Sequence, residues 1–286
     1  MIQMSMNRLK TFILLSFMTA LLLFVGQLLG GYSGLIIAGI FVVLFNIGSY
    51  FFSHKIVLAM YRAKEIKQSD NPELYSIVTE VAHLANIPMP KVYIVPSEQP
   101  NAFATGRNPK NAVVACTNGI LRLLNKDELK GVIAHEISHI RNRDILIQTI
   151  AATIAGVISY VATMARWAAI FGGFDRDGDG GSDIISFLVL AILTPIIATL
   201  IQLAISRSRE YLADESAAKI LHNPFGLAQA LEKLDSTSKR IPMRLGTEAT
   251  ENMFIVNPFS GKAIMALLST HPPIKERINR LKSMRF

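Results

Sequence analysis

Two uncharged apolar stretches open the chain, Thr11–Gly30 and Gly34–Ser53, with only Gly31-Tyr32-Ser33 between them. A hydrocarbon core about 30 Å thick takes roughly 20 apolar residues in helical form. The pair predicts a tight transmembrane hairpin over residues 1–53. The first stretch is too long for the core of a cleaved signal peptide and a second span follows at once, so it is read as retained. Ile145–Ala165 is broken only by Gln148 and small hydroxyls, and Ile184–Ile205 only by Gln202 and small hydroxyls. They predict a second hairpin at about 145–205, interrupting a domain that runs over 54–286. Arg166 and Trp167 suit the interface at the end of the third stretch.

Between and after these stretches the pattern changes period. Asn71-Pro72 reads as an N-cap and first-turn proline, opening a helix that runs to about Ile87 before Pro88. Lys91–Val95 alternates like a strand, and Asn101–Thr105 with Ala112–Thr117 reads as a hairpin across a Gly/Asn/Pro turn. Asn125, with Glu128 three residues on, is a capping box. The helix it opens meets nothing that breaks it until about Ile170. Amphipathic helices are expected at Pro224–Leu234 and Pro273–Met284. The fold class expected is α+β, mainly α with a small sheet, within a polytopic membrane protein of four spans.

Composition agrees. Of 286 residues, 51% are hydrophobic and 17% charged, which excludes disorder and an ordinary cytosolic domain. The net charge of +8 invites thoughts of nucleic acid, but the cations sit beside the spans. Arg8 and Lys10 precede the first, Lys55, Arg62, Lys64 and Lys67 follow the second, Arg141 and Arg143 precede the third, and Arg207 and Arg209 follow the fourth. The loop Gly172–Asp183 carries one arginine among four aspartates. The positive-inside rule puts both termini, 54–144 and 206–286 in the cytoplasm. A lone cysteine, Cys116, excludes a disulfide framework and cysteine metal knuckles.

The helix opened by Asn125 carries His135, Glu136 and His139 as H-E-x-x-H. Positions i and i+4 share a helix face, so the two imidazoles can hold one divalent ion, and one zinc ion per chain is expected. Glu136, rotated about 100° around the axis, is badly placed as a ligand but well placed as general base for water on the metal. A third ligand is required, from among His83, His222, His271, Asp144, Glu210, Asp214 and Glu215. If the His-bearing helix runs unbroken to about residue 170, it rises roughly 46 Å from His139. A returning helix from about 184 reaches Glu210 after roughly 39 Å. The two meet at similar height, which favours Glu210. Asp214, one turn on, is then placed to accept from a ligand histidine.

These residues resemble a family. HEISH, the E-x-x-A-D of Glu210 to Asp214, Asn101-Ala-Phe-Ala-Thr-Gly106 and Thr270-His271-Pro-Pro273 together resemble the HtpX family of bacterial membrane metallopeptidases, relatives of the CAAX prenyl endopeptidases. The likeness spans nearly the whole chain. It implies a zincin-like endopeptidase of the bacterial inner membrane with its active site in the cytoplasm, degrading damaged or misfolded membrane proteins under stress. It implies zinc on His135, His139 and Glu210, with Glu136 as acid and base. Polypeptides and the lipid bilayer are the partners expected; nucleic acid is not.

The resemblance also points to weaker motifs. Asn101, Ala102, Phe103 and Ala104 read as an edge strand to which an extended substrate adds through main-chain bonds. His271, fixed by two prolines, is a candidate extra ligand or donor to the oxyanion. Asp175 to Gly180 imitates a calcium loop but lacks its closing glutamate. Rival readings are a prenyl-CAAX endopeptidase, a metal transporter and an inactive metal-binding membrane scaffold. A transporter would need ionisable ligands within its spans, and these spans hold almost none.

Overall fold

The computed structural model describes residues 2–150, 207–238, 255 and 272–285, with part of the side chains along the first helix. That helix, α1 (Ile2–Met60), is two helical arms joined at Gly31, whose φ of 56° and ψ of −139° are not helical. Glycine alone takes such backbone without a Cβ penalty. Leu23 Cδ2 lies 3.9 Å from where a Cβ on Gly39 would sit. Along a straight helix those residues are about 24 Å apart. The chain therefore doubles back at Gly31, where the sequence placed the turn. Among the described residues, no helix is long and apolar enough to cross a membrane. The third and fourth expected spans and the acidic loop at 175–180 lie outside the described residues, apart from the helical residues 145–150.

The rest is mainly helical with one mixed sheet. β1 (Lys64–Glu65) pairs antiparallel with β2 (Lys91–Val95), β2 runs parallel to β4 (Ala112–Thr117), and β4 pairs antiparallel with β3 (Ala102–Gly106). The order is β1-β2-β4-β3, which leaves β3 at an edge. Strand period two divides the sheet's faces. Val113 and Ala115 join Val57, Leu58 and Tyr61 from the end of α1, whereas Val114 and Cys116 enter the main core. β1 and a short α3 (Asn118–Leu123) are additions to the pattern read from the sequence.

The helices follow their expected signals. α2 (Pro72–Leu84) starts where Asn71 Oδ1 accepts the Leu74 N–H at 3.0 Å, and buries Leu74, Ile77, Val78, Val81 and Ala82 at helical spacing. It ends before Asn86, which takes a φ of 55° ahead of Ile87-Pro88. α5 (Arg207–Leu221), α6 (Phe225–Ser238) and α7 (Ile274–Ser283) pack together beside α4 (Lys126–Asn142).

α4 is the axis of the fold. Its capping box is reciprocal: Asn125 Oδ1 accepts the Glu128 N–H and Glu128 Oε2 accepts the Asn125 N–H, both at 2.9 Å. From Gly131 to Ile140 every residue is buried. The helix does not run on to residue 170 as the pattern predicts. It ends at Asn142, with Arg143 left-handed at φ 58°. Asp144 causes the break. Its N–H turns back to the His139 carbonyl at 3.2 Å, and its own carbonyl accepts the Gln148 N–H to start the next helical segment. Aspartate is a favoured residue at such a start.

Candidate metal centre

His135 and His139 stand one turn apart on α4 with Nε2 atoms 3.2 Å apart and rings nearly perpendicular, at 88°. Glu210 comes from α5. Its Oε2 lies 3.5 Å from His135 Nε2 and its Oε1 3.5 Å from His139 Nε2. The three donor atoms fall within 4.8 Å of one another, and the residues are 1%, 4% and 2% exposed. A tetrahedral ion with bonds of about 2.0–2.1 Å has ligand atoms about 3.3 Å apart. The observed separations match that edge, so the donor set fits a small tetrahedral cation.

Each imidazole has a carboxylate behind it. His139 Nδ1 is 2.9 Å from Asp144 Oδ2, and His135 Nδ1 is 2.9 Å from Asp214 Oδ1. Such partners fix an imidazole ring and leave its Nε2 available to a metal. Burial alone would lower both histidines. Asp214 and Glu210 outweigh it for His135, which rises above the ordinary value. Asp144, with Glu210 and Glu136, pushes His139 up to about 10. Asp214 is held below the usual carboxylate range. Burial opposes this, but Arg277 and then His135 prevail.

Charge gives a second test of fit. Glu136, Asp144, Glu210 and Asp214 are all buried, against two buried guanidiniums, Arg209 and Arg277. Counting the described residues with ionised carboxylates and neutral imidazoles, the cluster is short of two positive charges, the charge of one divalent ion. Uncompensated charge of that size in a dry site is costly.

Glu136 reaches from α4 to the sheet. Its Oε2 accepts the Ala104 N–H of β3 at 2.8 Å. Burial raises its carboxyl, against the pull of His135 and His139. The bond also gives the strand its orientation. Ala104 turns its N–H away from β4, so by alternation Ala102 and Ala104, both buried, present main-chain groups on the side of β3 opposite β4. Asn101 and Phe103 turn inward. The Asn101 carbonyl accepts the Thr117 N–H at 2.9 Å, and its Oδ1 accepts the Ile255 N–H at 3.2 Å. The Phe103 ring packs on Tyr61, centroids 5.2 Å apart. Alternate residues of an edge strand face its one neighbour in this way.

The other candidate ligands stand elsewhere. His83 lies on α2, His222 follows α5 at a φ of 49°, and Glu215 pairs with Lys219 at 2.5 Å. Asp144 and Asp214 lie behind the histidines, as above. His271 lies outside the described residues. One residue the sequence reading passed over is Arg277, fully buried on α7. Its Nη1 is 3.7 Å from Glu210 Oε2, and it grips Asp214. The signal was present: Ile274, Arg277, Ile278 and Leu281 form an apolar stripe with one cation in it.

The comparisons with known proteins agree with this geometry. The profile described as Peptidase family M48 matches residues 68–285. "Protease HtpX homolog" of Thermodesulfovibrio yellowstonii is 58% identical over 279 residues, covering 98% of this chain and 99% of that one. The homolog of the same name from Syntrophobacter fumaroxidans is 54% identical over 280 residues, covering 97% and 99%. That of Pyrococcus furiosus is 54% identical over 275 residues, covering 96% and 95%. Among solved structures, the crystal structure of S. mikatae Ste24p aligns with a TM-score of 0.51 at 19% identity, over 98% of this chain and 67% of that one. At that identity the likeness shows the fold alone.

Proposed function

The chain belongs to peptidase family M48, and from that premise we propose that it is a membrane-bound zinc endopeptidase that cleaves damaged or misfolded membrane proteins. The metallopeptidase activity follows from the family. Zinc, the membrane and the substrate class are the proposal. The observation that carries it is the convergence of His135 Nε2, His139 Nε2 and Glu210 at tetrahedral-edge distances, with buried Glu136 next to His135 on the same helix.

In this reading His135, His139 and Glu210 hold the ion, and Asp214 and Asp144 fix the histidine rings. An ion held there supplies Lewis acidity, which draws charge from a water and from the scissile carbonyl. Glu136 takes the proton of the attacking water and delivers it to the leaving amine. The outward main chain of Ala102 and Ala104 receives the substrate as an added strand, which reads backbone and tolerates many side chains. Glu136 releases or shares the Ala104 N–H when a strand docks.

Large apolar side chains exposed on α1 support the membrane reading. Phe12, Tyr32, Ile37 and Leu44 are 66–76% exposed. A contiguous apolar surface of this kind is normally covered by lipid or protein. With the cations flanking the spans, it supports a multi-pass protein whose centre and termini face the cytoplasm, in the bacterial inner membrane.

The test is metal content and proteolysis on detergent-purified protein. One zinc per chain is expected, with casein cleavage abolished by a chelator and restored by zinc. Metal-free protein that cleaves at full rate would overturn the reading. A farnesylated peptide cleaved in preference to unfolded protein would move the substrate class to prenyl-CAAX chains.

A further inference from the structure

A cavity of about 550 Å³ lies at the C-terminal end of α4, and none of His135, Glu136, His139 or Glu210 lines it. Three pieces of chain form it: the loop after α2, the turn between β3 and β4, and the end of α4. Among the described residues its charged lining is Lys110, Arg141 and Arg143, with Asn86 and Asn108 beside them and no carboxylate. All three cations are exposed, and none has an ion pair with another described residue. Two backbone features aim the lining. Arg143 and Asn86 both take positive φ, 58° and 55°.

The height of the cavity is fixed by neighbours. Arg107 stacks on Phe51 at 5.1 Å and Lys55 on Phe52 at 5.4 Å, at the end of the apolar run of α1. Cations folded over aromatics at such an end are the arrangement of a membrane–water interface. Lys110 follows Arg107 by three residues, so the cavity opens close to that plane. Convergent cations on the cytoplasmic side of membrane helices suit phosphate headgroups, and guanidiniums bind phosphate oxygens in pairs. The volume falls in the range of small-molecule sites, roughly 300–1,000 Å³.

We propose that this cavity binds one phosphate-bearing anion, the headgroup of an anionic phospholipid, through Lys110, Arg141 and Arg143. The site goes beyond the proposed activity, and depends on the membrane reading only for the source of the phosphate. A lipid held there bridges the end of α4 to the β3–β4 turn, the two elements that carry the histidines and the substrate strand.

The experiment uses the full chain in detergent micelles with equal phosphatidylglycerol and phosphatidylcholine, read by native mass spectrometry for retained lipid. The wild type is expected to retain one phosphatidylglycerol in preference to phosphatidylcholine. The triple variant Lys110→Gln, Arg141→Gln, Arg143→Gln is expected to lose that preference at least tenfold. A control that removes exposed charges elsewhere, Lys126→Gln, Lys219→Gln, Lys275→Gln, is expected to keep it. Undiminished preference in the triple variant, or equal loss in the control, overturns the site. A second arm titrates inorganic phosphate alone and follows the melting temperature. Cation-dependent stabilisation by phosphate with no lipid preference overturns the lipid as source. Both arms read binding, so a failure of the peptidase assay leaves them unaffected.

Discussion

Arg277 grips Asp214 with two parallel hydrogen bonds, Nε to Oδ2 at 2.8 Å and Nη2 to Oδ1 at 2.7 Å. Asp214 in turn stands 2.9 Å behind His135. Helix α7 thereby bears on His135, a proposed metal ligand, through one carboxylate. The same guanidinium donates to the Ile255 carbonyl at 3.0 Å, which ties that residue to the centre as well.

Replacing the fork tests this chain of contacts. Arg277→Lys keeps the charge but not the paired geometry. It is expected to fold, melt at a lower temperature and hold zinc about 10–100-fold more weakly. Arg277→Ala leaves Asp214 buried without its partner and is expected to cost about 3–5 kcal/mol. Thermal unfolding and a competitive chelator titration measure both. A lysine variant equal to wild type in both would show that the fork is dispensable.

Glu136→Gln preserves size, and the Gln amide oxygen can still accept the Ala104 N–H. The variant is expected to keep its full metal complement and its melting temperature, while turnover falls by about 10²–10⁴. Casein cleavage at the wild-type rate would remove Glu136 from the role of base.

Asp144→Asn separates orientation from ligation. The amide removes the charge behind His139 while matching its shape. Zinc affinity is expected to fall about 10–100-fold, with one zinc still bound at saturation. Loss of all binding would mean that Asp144 itself touches the ion.

Proton competition sets a pH dependence. Both histidines lie above their ordinary value in the metal-free protein, His139 at about 10. At pH 7 His139 is therefore largely protonated, and the metal must displace that proton. Apparent zinc affinity is expected to rise from pH 6 to pH 8, by about tenfold or more per unit. Metal-buffered titrations at the two pH values check the sign; a flat response refutes it.

Gly131 tests the packing that holds α4. A Cβ there would meet the Leu227 backbone N at 2.5 Å, and one on Gly226 would meet the Asp127 carbonyl oxygen at 2.5 Å. The obstacles are backbone, so α6 must move. Gly131→Ala is expected to lower stability by about 1–3 kcal/mol. An unchanged melting temperature would show that the two helices separate without penalty.

Much of this was readable from the chain because it depends on neighbours in sequence. Period two marked β2, and a Gly/Asn/Pro turn between two short runs marked β3 and β4; the Asn125 and Glu128 pair marked the start of α4; spacing of four put two histidines on one face. A turn at Gly31 followed from two apolar runs with glycines between them. Longer-range outcomes depended on packing. The break at Asp144 was passed over because an aspartate inside a helical pattern marks a new start only once Arg143 turns left-handed and the Asp144 N–H returns to the His139 carbonyl. Glu210 was chosen from rod lengths that assumed no break, yet it arrives at the histidines because α5 packs directly on α4. The inward turn of Asn101 and Phe103 was decided by which neighbour β3 paired with. Arg277 shows the division most clearly. The sequence shows a cation on an apolar stripe, but only the fold supplies the carboxylates that make its burial tolerable.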